Sequence, residues 1–476
     1  MKRIYRVTLF ILAGVIFFSS CKDELDQKPQ DAMQDEDAIT DIQLLRSATI
    51  GIYNGIRSLE WYGRTYPTML ELRGSNMYIA ARNSNRYRTS YQYNYTLSDV
   101  DVTDVWNRIY NVIARANNVI NRVNDVTDGT VDEKNQLVAE AKFVRALAYF
   151  DLTRVFGKTY SADNGASLSV PLVLDKSNST PKRETVKVIY DQIIKDLIEA
   201  KADLSEDTNT KFRATSYAAS ALLARVYLYK GDAVSNDLAI QEATRVIDAG
   251  YELTPPNSYR YDVFWATPGQ SEEIFTAKIT QFQDLGSDNY GQLYVKELGG
   301  YGDFFVRPSF YDSYDDADVR KTGVMKEDEV AEALITTKFY MQDNIPGMYS
   351  PKILRLAEMY FIRAEANFKQ GTTLGASPQA DLSAVRAQRG LPAYTGAVTL
   401  AEILKEKNFE FAFEGHQWQD NLRNGIVTAR PNITGAISNN DTENLAVNDN
   451  KQLFPIPQRE LDANPNIKPN NPGYNN

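Results

Sequence analysis

The sequence predicts a mostly α fold, in which a scaffold of tetratricopeptide-like helix pairs carries a loop-rich, partly β, ligand-binding region. Three observations predict it. First, apolar residues recur at three- and four-residue spacing in several long segments, the period that places them on one helix face. Second, two of those segments are followed by a partner at the same offset: Gly231 to Gly250 and Gly371 to Gly390 are both 19 residues. An Ala/aromatic helix, a glycine-ended turn and a second helix within roughly 34 residues is the tetratricopeptide rhythm. Third, long Tyr/Asn/Gly-rich stretches separate these units, and at that length they are expected to carry function rather than only connect.

The elements follow in chain order. Met1 to Arg6 is a charged head, Val7 to Phe18 an apolar run, and Ser19-Ser20 a small pair before Cys21. This is the layout of a cleaved secretory signal over residues 1–20. The apolar run falls short of the roughly 20 residues a membrane span needs. A signal ending at the single cysteine of the chain reads as a lipoprotein signal with Cys21 acylated, although Phe18 stands where leucine is usual. An ordinary signal with an incidental cysteine is the alternative. Residues 21–40 are polar and acidic with Pro29 and form a tether, and Lys22-Asp23-Glu24 is either an acidic surface-export signal or a solvated linker.

Residues 41–476 form one domain, with helical repeats mainly within 103–156, 184–250 and 351–415. Leu137, Ala141, Val144, Ala148, Leu152 and Val155 share one face of a helix that Gly157 stops. Ala219, Leu222, Val226 and Tyr229 repeat the arrangement before Gly231, as do Ile353, Leu356, Ala357, Tyr360, Ala364 and Phe368 before Gly371. Ser377-Pro378 supplies an N-cap and an N1 proline, and Thr399 with Glu402 a capping box. The loop-rich regions are 61–98, 251–318 and 431–451. Alternation in Tyr91-Gln92-Tyr93-Asn94-Tyr95 allows short strands there.

Composition excludes several kinds of chemistry. The chain has 52 Lys/Arg against 62 Asp/Glu, a net charge of −10 that becomes about −13 once residues 1–20 are removed, so nucleic acid is not an expected partner. One cysteine and one histidine exclude a disulfide framework and a Cys/His zinc site. His416 sits beside Gly415 and Trp418 near the end of an apolar helix and reads as structural. No nucleophile-elbow serine is present. Carboxylate pairs for glycoside hydrolysis depend on a separation of roughly 5–10 Å that sequence does not show. Asp99, Asp101 and Asp104, or Asp312, Asp315, Asp316 and Asp318, offer oxygen ligands to calcium. Neither set has EF-hand spacing, and capping or a solvated loop explains both, so no cofactor is expected.

Five segments, in order, carry more than periodicity. They are residues 139–157 (AEAKFVRALAYFDLTRVFG), 217–228 (YAASALLARVYL), 354–366 (LRLAEMYFIRAEA), 410–420 (EFAFEGHQWQD) and 455–466 (PIPQRELDANPN). Together with Cys21 they resemble the SusD/RagB family of outer-membrane nutrient-binding lipoproteins over nearly the whole chain. Lys407-Asn408 and Gln417 depart from the family pattern and Asn421 is inserted, which leaves the partners of Glu410 and Glu414 open. The resemblance implies four helix pairs under a loop-rich top. It also implies a lipid-anchored outer-membrane protein, surface-exposed, that captures oligosaccharide or polysaccharide, or in some members peptide. A SusC-like TonB-dependent transporter is the implied partner, and no enzymatic activity is implied.

A sugar presents apolar C–H faces ringed by hydroxyls, so its site wants flat aromatics flanked by Asn, Asp, Arg or Gln. Two loops offer that mixture. The first has Trp61, Tyr62, Arg73, Asn76, Tyr78 and Asn83; the second has Trp265, Asp288, Asn289, Tyr290, Tyr294 and Tyr301. The expected function is glycan binding for uptake, with peptide binding and, in a different class, surface glycan hydrolysis as the alternatives.

Overall fold

A computed structural model describes residues 39–177 and 180–474. The signal segment, Cys21 and all but the last two residues of the tether lie outside the described residues. Nine helices of ten residues or more are present among those described: α1 Ile42–Ile56, α2 Val100–Arg122, α3 Val131–Phe156, α4 Val186–Asp203, α5 Ser216–Lys230, α6 Ala233–Ile247, α7 Leu356–Gln370, α8 Pro378–Ala387 and α9 Leu400–Phe411. Each of α1 to α7 packs on the next, and α9 joins them against α7. The result is a continuous helical stack of the predicted kind.

Local chemistry explains where the helices begin. The side chains of Asp41, Asp99, Thr130, Thr185, Thr215, Asp232, Ser377 and Thr399 each accept a hydrogen bond from a backbone N–H of the following first turn. Only α7 lacks such a cap. It follows directly on a strand, and its first N–H, that of Leu356, donates instead to the Glu272 carbonyl at 2.9 Å. Gly231 and Gly371 end α5 and α7 in the left-handed region, at φ 76° and 66°, as glycine C-caps do. Gly157 ends α3 differently, in extended backbone at φ −118°. A Cβ there would come within 2.9 Å of the Ser169 hydroxyl, so close approach selects the glycine.

Among the described residues the strands β1 Met77–Ile79, β2 Leu168–Pro171, β3 Arg183–Thr185, β4 Glu273–Thr276, β5 Phe304–Val306, β6 Met325–Asp328, β7 Ala333–Thr336, β8 Met341–Gln342, β9 Ile345–Pro346 and β10 Lys352–Arg355 are short and form five two-stranded antiparallel ribbons. Two of them organise the molecule. β4 (Glu273–Thr276) pairs with β10 (Lys352–Arg355), with Phe275 opposite Leu354 and Glu273 opposite Arg355. The long excursion between α6 and α7 therefore leaves and re-enters the stack at one place, and α7 returns against α6. β1 (Met77–Ile79) pairs with β5 (Phe304–Val306), with Tyr78 opposite Phe305. Beyond it, Ala80 bridges to Ala436, Ala81 N–H donates to the Gly435 carbonyl at 2.7 Å, and Ala80 N–H to Asp303 at 2.9 Å. All three segments predicted as loop-rich thus meet around β1.

A buried ionic network locks the excursion to the scaffold. Arg355 reaches Glu272 at 2.7 Å, Glu410 at 2.9 Å and Glu414 at 2.9 Å. Arg389 donates to Glu410 at 2.8 Å, and Lys338 sits 2.8 Å from Glu414. These are the partners of Glu410 and Glu414 that sequence left open, and they come from residues far away in the chain. Lys407 pairs with Asp420 at 2.9 Å, and Asn408 donates to Asn76 at 3.0 Å, so the departures from the family pattern are used locally.

Candidate functional site

Burial sorts the twelve predicted ligand residues into two groups, and eight are corrected. Trp61 is fully buried, its indole N–H donating to Asp151 at 2.8 Å. Tyr62 packs edge-on to Tyr66 beside a cavity. Arg73 is enclosed, with its guanidinium 3.7 Å from the Trp418 ring centre and Nη2 donating to the Gln452 carbonyl at 2.7 Å. Asn76 donates to Glu71 at 3.1 Å and Asn408 at 3.0 Å. Trp265 is buried, with the Lys338 ammonium 4.5 Å from its ring centre. Asn289 is buried on Asp284 and the Leu285 N–H. Tyr290 lies 4.4 Å from the Phe339 ring, and the Tyr294 hydroxyl donates to that of Tyr290 at 3.2 Å. Burial pushes both phenols well above their ordinary pKa. Tyrosine carries enough apolar surface to build a core once its hydroxyl has a partner, and these do. The cavity, partly open and lined in part by Tyr62, Tyr66, Tyr290, Tyr349 and His416, has about 50 Å³ of space. That holds a few waters and excludes a sugar ring.

Tyr78, Asn83, Asp288 and Tyr301 form the second group, none of them buried. Tyr78 is the middle residue of β1, its ring 5.7 Å from that of Phe305, while Met77 and Ile79 face the core. Tyr301 lies two residues before Asp303, whose carbonyl accepts from Ala80, so it lies beyond the end of the ribbon at which β1 runs on into Ala80. The Arg86 guanidinium stands 3.8 Å from the Tyr301 ring centre. Asn83 ties the intervening turn, donating to the Ala80 carbonyl at 2.6 Å and accepting from the Asn85 N–H at 2.8 Å. Asp288 holds Arg64 at 2.5 Å. Sequence reasoning missed Arg86 and its neighbours Arg82 and Arg88, although their spacing within a Tyr/Asn-rich segment was a readable signal.

The loop bearing these residues is held rigid against local preference. Asn85, Tyr87 and Tyr93 have φ of 65°, 54° and 48°, a region bulky residues rarely adopt. Tyr87 is kept there by Arg64, which donates to its hydroxyl at 3.0 Å, by Thr65 at 3.0 Å, and by packing on Phe304. The Ser84 N–H donates to Asp303 at 2.9 Å. Strain maintained by surrounding bonds of this kind is characteristic of binding loops.

Other candidates are engaged in structural contacts. His416 stacks on Phe411 with ring centres 4.6 Å apart. Burial, then Arg225 and Lys407, hold its pKa well below the usual value, so it is neutral near pH 7. Asp99 caps α2, while burial and the neighbouring Asp99 raise Asp101 to about 6. Asp318 is bonded to Arg320 at 2.7 Å, Asp316 to Lys321 at 2.6 Å, and Asp315 to the Ala317 N–H at 2.9 Å. Asp312 caps the turn Pro308–Tyr311. Among the described residues, no group of three or more His, Cys, Asp or Glu is arranged to hold a metal ion.

A helical stack with an aromatic and cationic surface on a rigid loop cluster defines a helical-repeat binding protein. Comparison with known proteins gives the particular family. Residues 23–228 match the family model described as starch-binding associating with outer membrane, and residues 338–474 match that of the SusD family. SusD-like protein P2 of Formosa agariphila is 28% identical over 99% of this chain and 99% of its own. A SusD superfamily protein of Bacteroides thetaiotaomicron superposes with a TM-score of 0.83 at 29% identity, covering 91% of this chain and 100% of that one. A second structure, from Bacteroides vulgatus, gives 0.82 at 30% identity, covering 92% and 100%. The chain belongs to the SusD/RagB family of outer-membrane-associated, carbohydrate-binding proteins.

Proposed function

We propose that this protein is anchored through acylated Cys21 at the cell surface, captures oligosaccharide or polysaccharide, and passes it to a SusC-like TonB-dependent transporter without covalent chemistry. The observation that carries the reading is the set of half-buried side chains Tyr78, Asn83, Arg86 and Tyr301 on and beside the β1/β5 ribbon, where three distant loops converge. Ring faces there can meet sugar C–H groups, while amide and guanidinium N–H groups donate to hydroxyls. The starch-binding description of the family supports the ligand class.

A glycan array followed by calorimetry tests the reading. Tyr301→Ala and Tyr78→Ala are each expected to lower affinity for the captured glycan about tenfold or more, the scale of a hot-spot aromatic, with Tm unchanged. Binding of peptides and of no carbohydrate would overturn it, and release of reducing ends from a polysaccharide would show hydrolysis instead. The anchor has its own test. A tether of about 20 residues, at up to roughly 3.5 Å each, leaves slack to swing over a transporter mouth. Cys21→Ala should keep ligand affinity in vitro and leave the outer-membrane fraction. Retention in that fraction would refute acylation as the attachment.

A further inference from the structure

We propose that the glycan taken by the Tyr78/Tyr301 surface is anionic, bearing carboxylate or sulfate groups. This rests on the glycan-binding reading and adds the charge of the ligand to it.

The inference starts from an imbalance. The chain is strongly acidic, at −10 overall, yet three arginines, Arg82, Arg86 and Arg88, crowd into seven residues of the loop beside Tyr301. Arg82 and Arg88 are exposed and Arg86 half-buried over the Tyr301 ring. Among the described residues none of the three is in an ion pair, and the one hydrogen bond of these guanidinium groups is neutral, from Arg88 to the Asn85 amide oxygen.

The layer beneath points the same way. Twelve arginines are buried among the described residues, and eight of them, such as Arg145 with Asp196, Arg225 with Glu358 and Arg423 with Glu365, sit against carboxylates. Four do not. Arg183 is the one remote from this surface, donating to the Ser169 and Pro469 carbonyls. The other three form a chain beneath the loop. Arg307 follows β5 and donates to the carbonyls of Met77 and Pro431 and to the Tyr91 hydroxyl. Arg430 stands over Tyr91 and Tyr93 and donates to the Tyr91 and Leu72 carbonyls. Arg73 lies over Tyr93 and donates to the Lys451 and Gln452 carbonyls. Carbonyls, a hydroxyl and rings surround these cations without cancelling their charge, and Nε and Nη1 of Arg73 and Nε of Arg430 have no hydrogen-bond partner among the described residues. Fields from buried charges are poorly screened and emerge at the nearest surface.

Three carboxylates lie nearby, and none is in an ion pair with Arg82, Arg86 or Arg88 among the described residues. Asp288 is paired with Arg64, and Asp303 is bonded to the Ser84 N–H and hydroxyl. Asp101 is the acid whose charge interacts with Arg64 and Arg86, so it offsets part of theirs, while exposed Arg82 and Arg88 stay clear of it. Planar guanidinium forks beside an aromatic face suit a ring that carries carboxylate or sulfate substituents.

The test uses matched polysaccharides: polygalacturonate against its fully methyl-esterified form, and a sulfated galactan against its desulfated form, measured by affinity electrophoresis and calorimetry. The charged member of at least one pair is expected to bind about tenfold or more tightly than its neutral counterpart. Which pair responds distinguishes uronate from sulfate. Raising salt from about 0.05 M to about 0.5 M should shrink that difference by screening. The double variant Arg82→Ser/Arg88→Ser, at two exposed positions, should weaken binding of the charged member and leave Tm unchanged. Equal binding of charged and neutral members, or binding of neutral glycans only, overturns the charge inference while glycan binding stands. Binding to peptides and to no polysaccharide overturns both.

Discussion

Glu410→Ala is expected to destabilise the fold by about 3–5 kcal/mol, because it leaves buried arginines without their carboxylate. Glu410 is fully buried between Arg389 and Arg355, with Arg320 further out at 3.6 Å. Glu410→Gln keeps the volume and removes the charge, so most of the loss should persist. Urea denaturation of the three proteins checks this, and a loss under about 1 kcal/mol in both variants would show the network to be dispensable. The same group sets an acid limit. Arg389 and Arg355 overcome the burial penalty and hold the Glu410 carboxyl well below the ordinary value of 4.5. Its folded pKa is depressed, so its stabilisation is complete above the unfolded value and is lost as pH falls through the folded one. Wild-type stability should therefore decline below about pH 4 with a slope that Glu410→Gln lacks.

Trp265→Ala should cost about 3–5 kcal/mol through the cavity it leaves, while ligand affinity of the folded protein stays unchanged. Trp265 packs on Tyr259, Phe264 and Tyr349 with two lysine ammonium groups near its ring. Tyr301→Ala should behave oppositely, weakening binding and sparing Tm. Two chain-similar aromatics thus separate into core and platform by measurement. A stable Trp265→Ala protein with weakened binding would return that residue to the site.

The helices were legible because their signals are local. Thr399 caps α9 as its spacing with Glu402 implies, Ser377 and Pro378 open α8, and Gly231 and Gly371 close α5 and α7. The loops were less legible. A segment such as Trp61 to Ser98 reads as polar and irregular, yet it buries Trp61, Tyr66, Tyr91 and Tyr93. Composition cannot separate a tyrosine whose hydroxyl meets a protein partner from one that faces water. The segments that carry Tyr78 and Tyr301 are brought together only because β1 takes β5 as its partner, more than two hundred residues away.

By itself, the sequence determined the class of fold, the family, the expectation of an anchor at Cys21 and the caps of several helices, though not the start of α7, since Ile353 belongs to β10. Each rests on residues close together in the chain, where periodicity, capping and motif order act. The tertiary structure alone decided which aromatics are core, which arginine meets Glu410, and where unpaired cations gather. Burial and charge compensation depend on what the rest of the chain brings alongside, and those partners arrive from other loops.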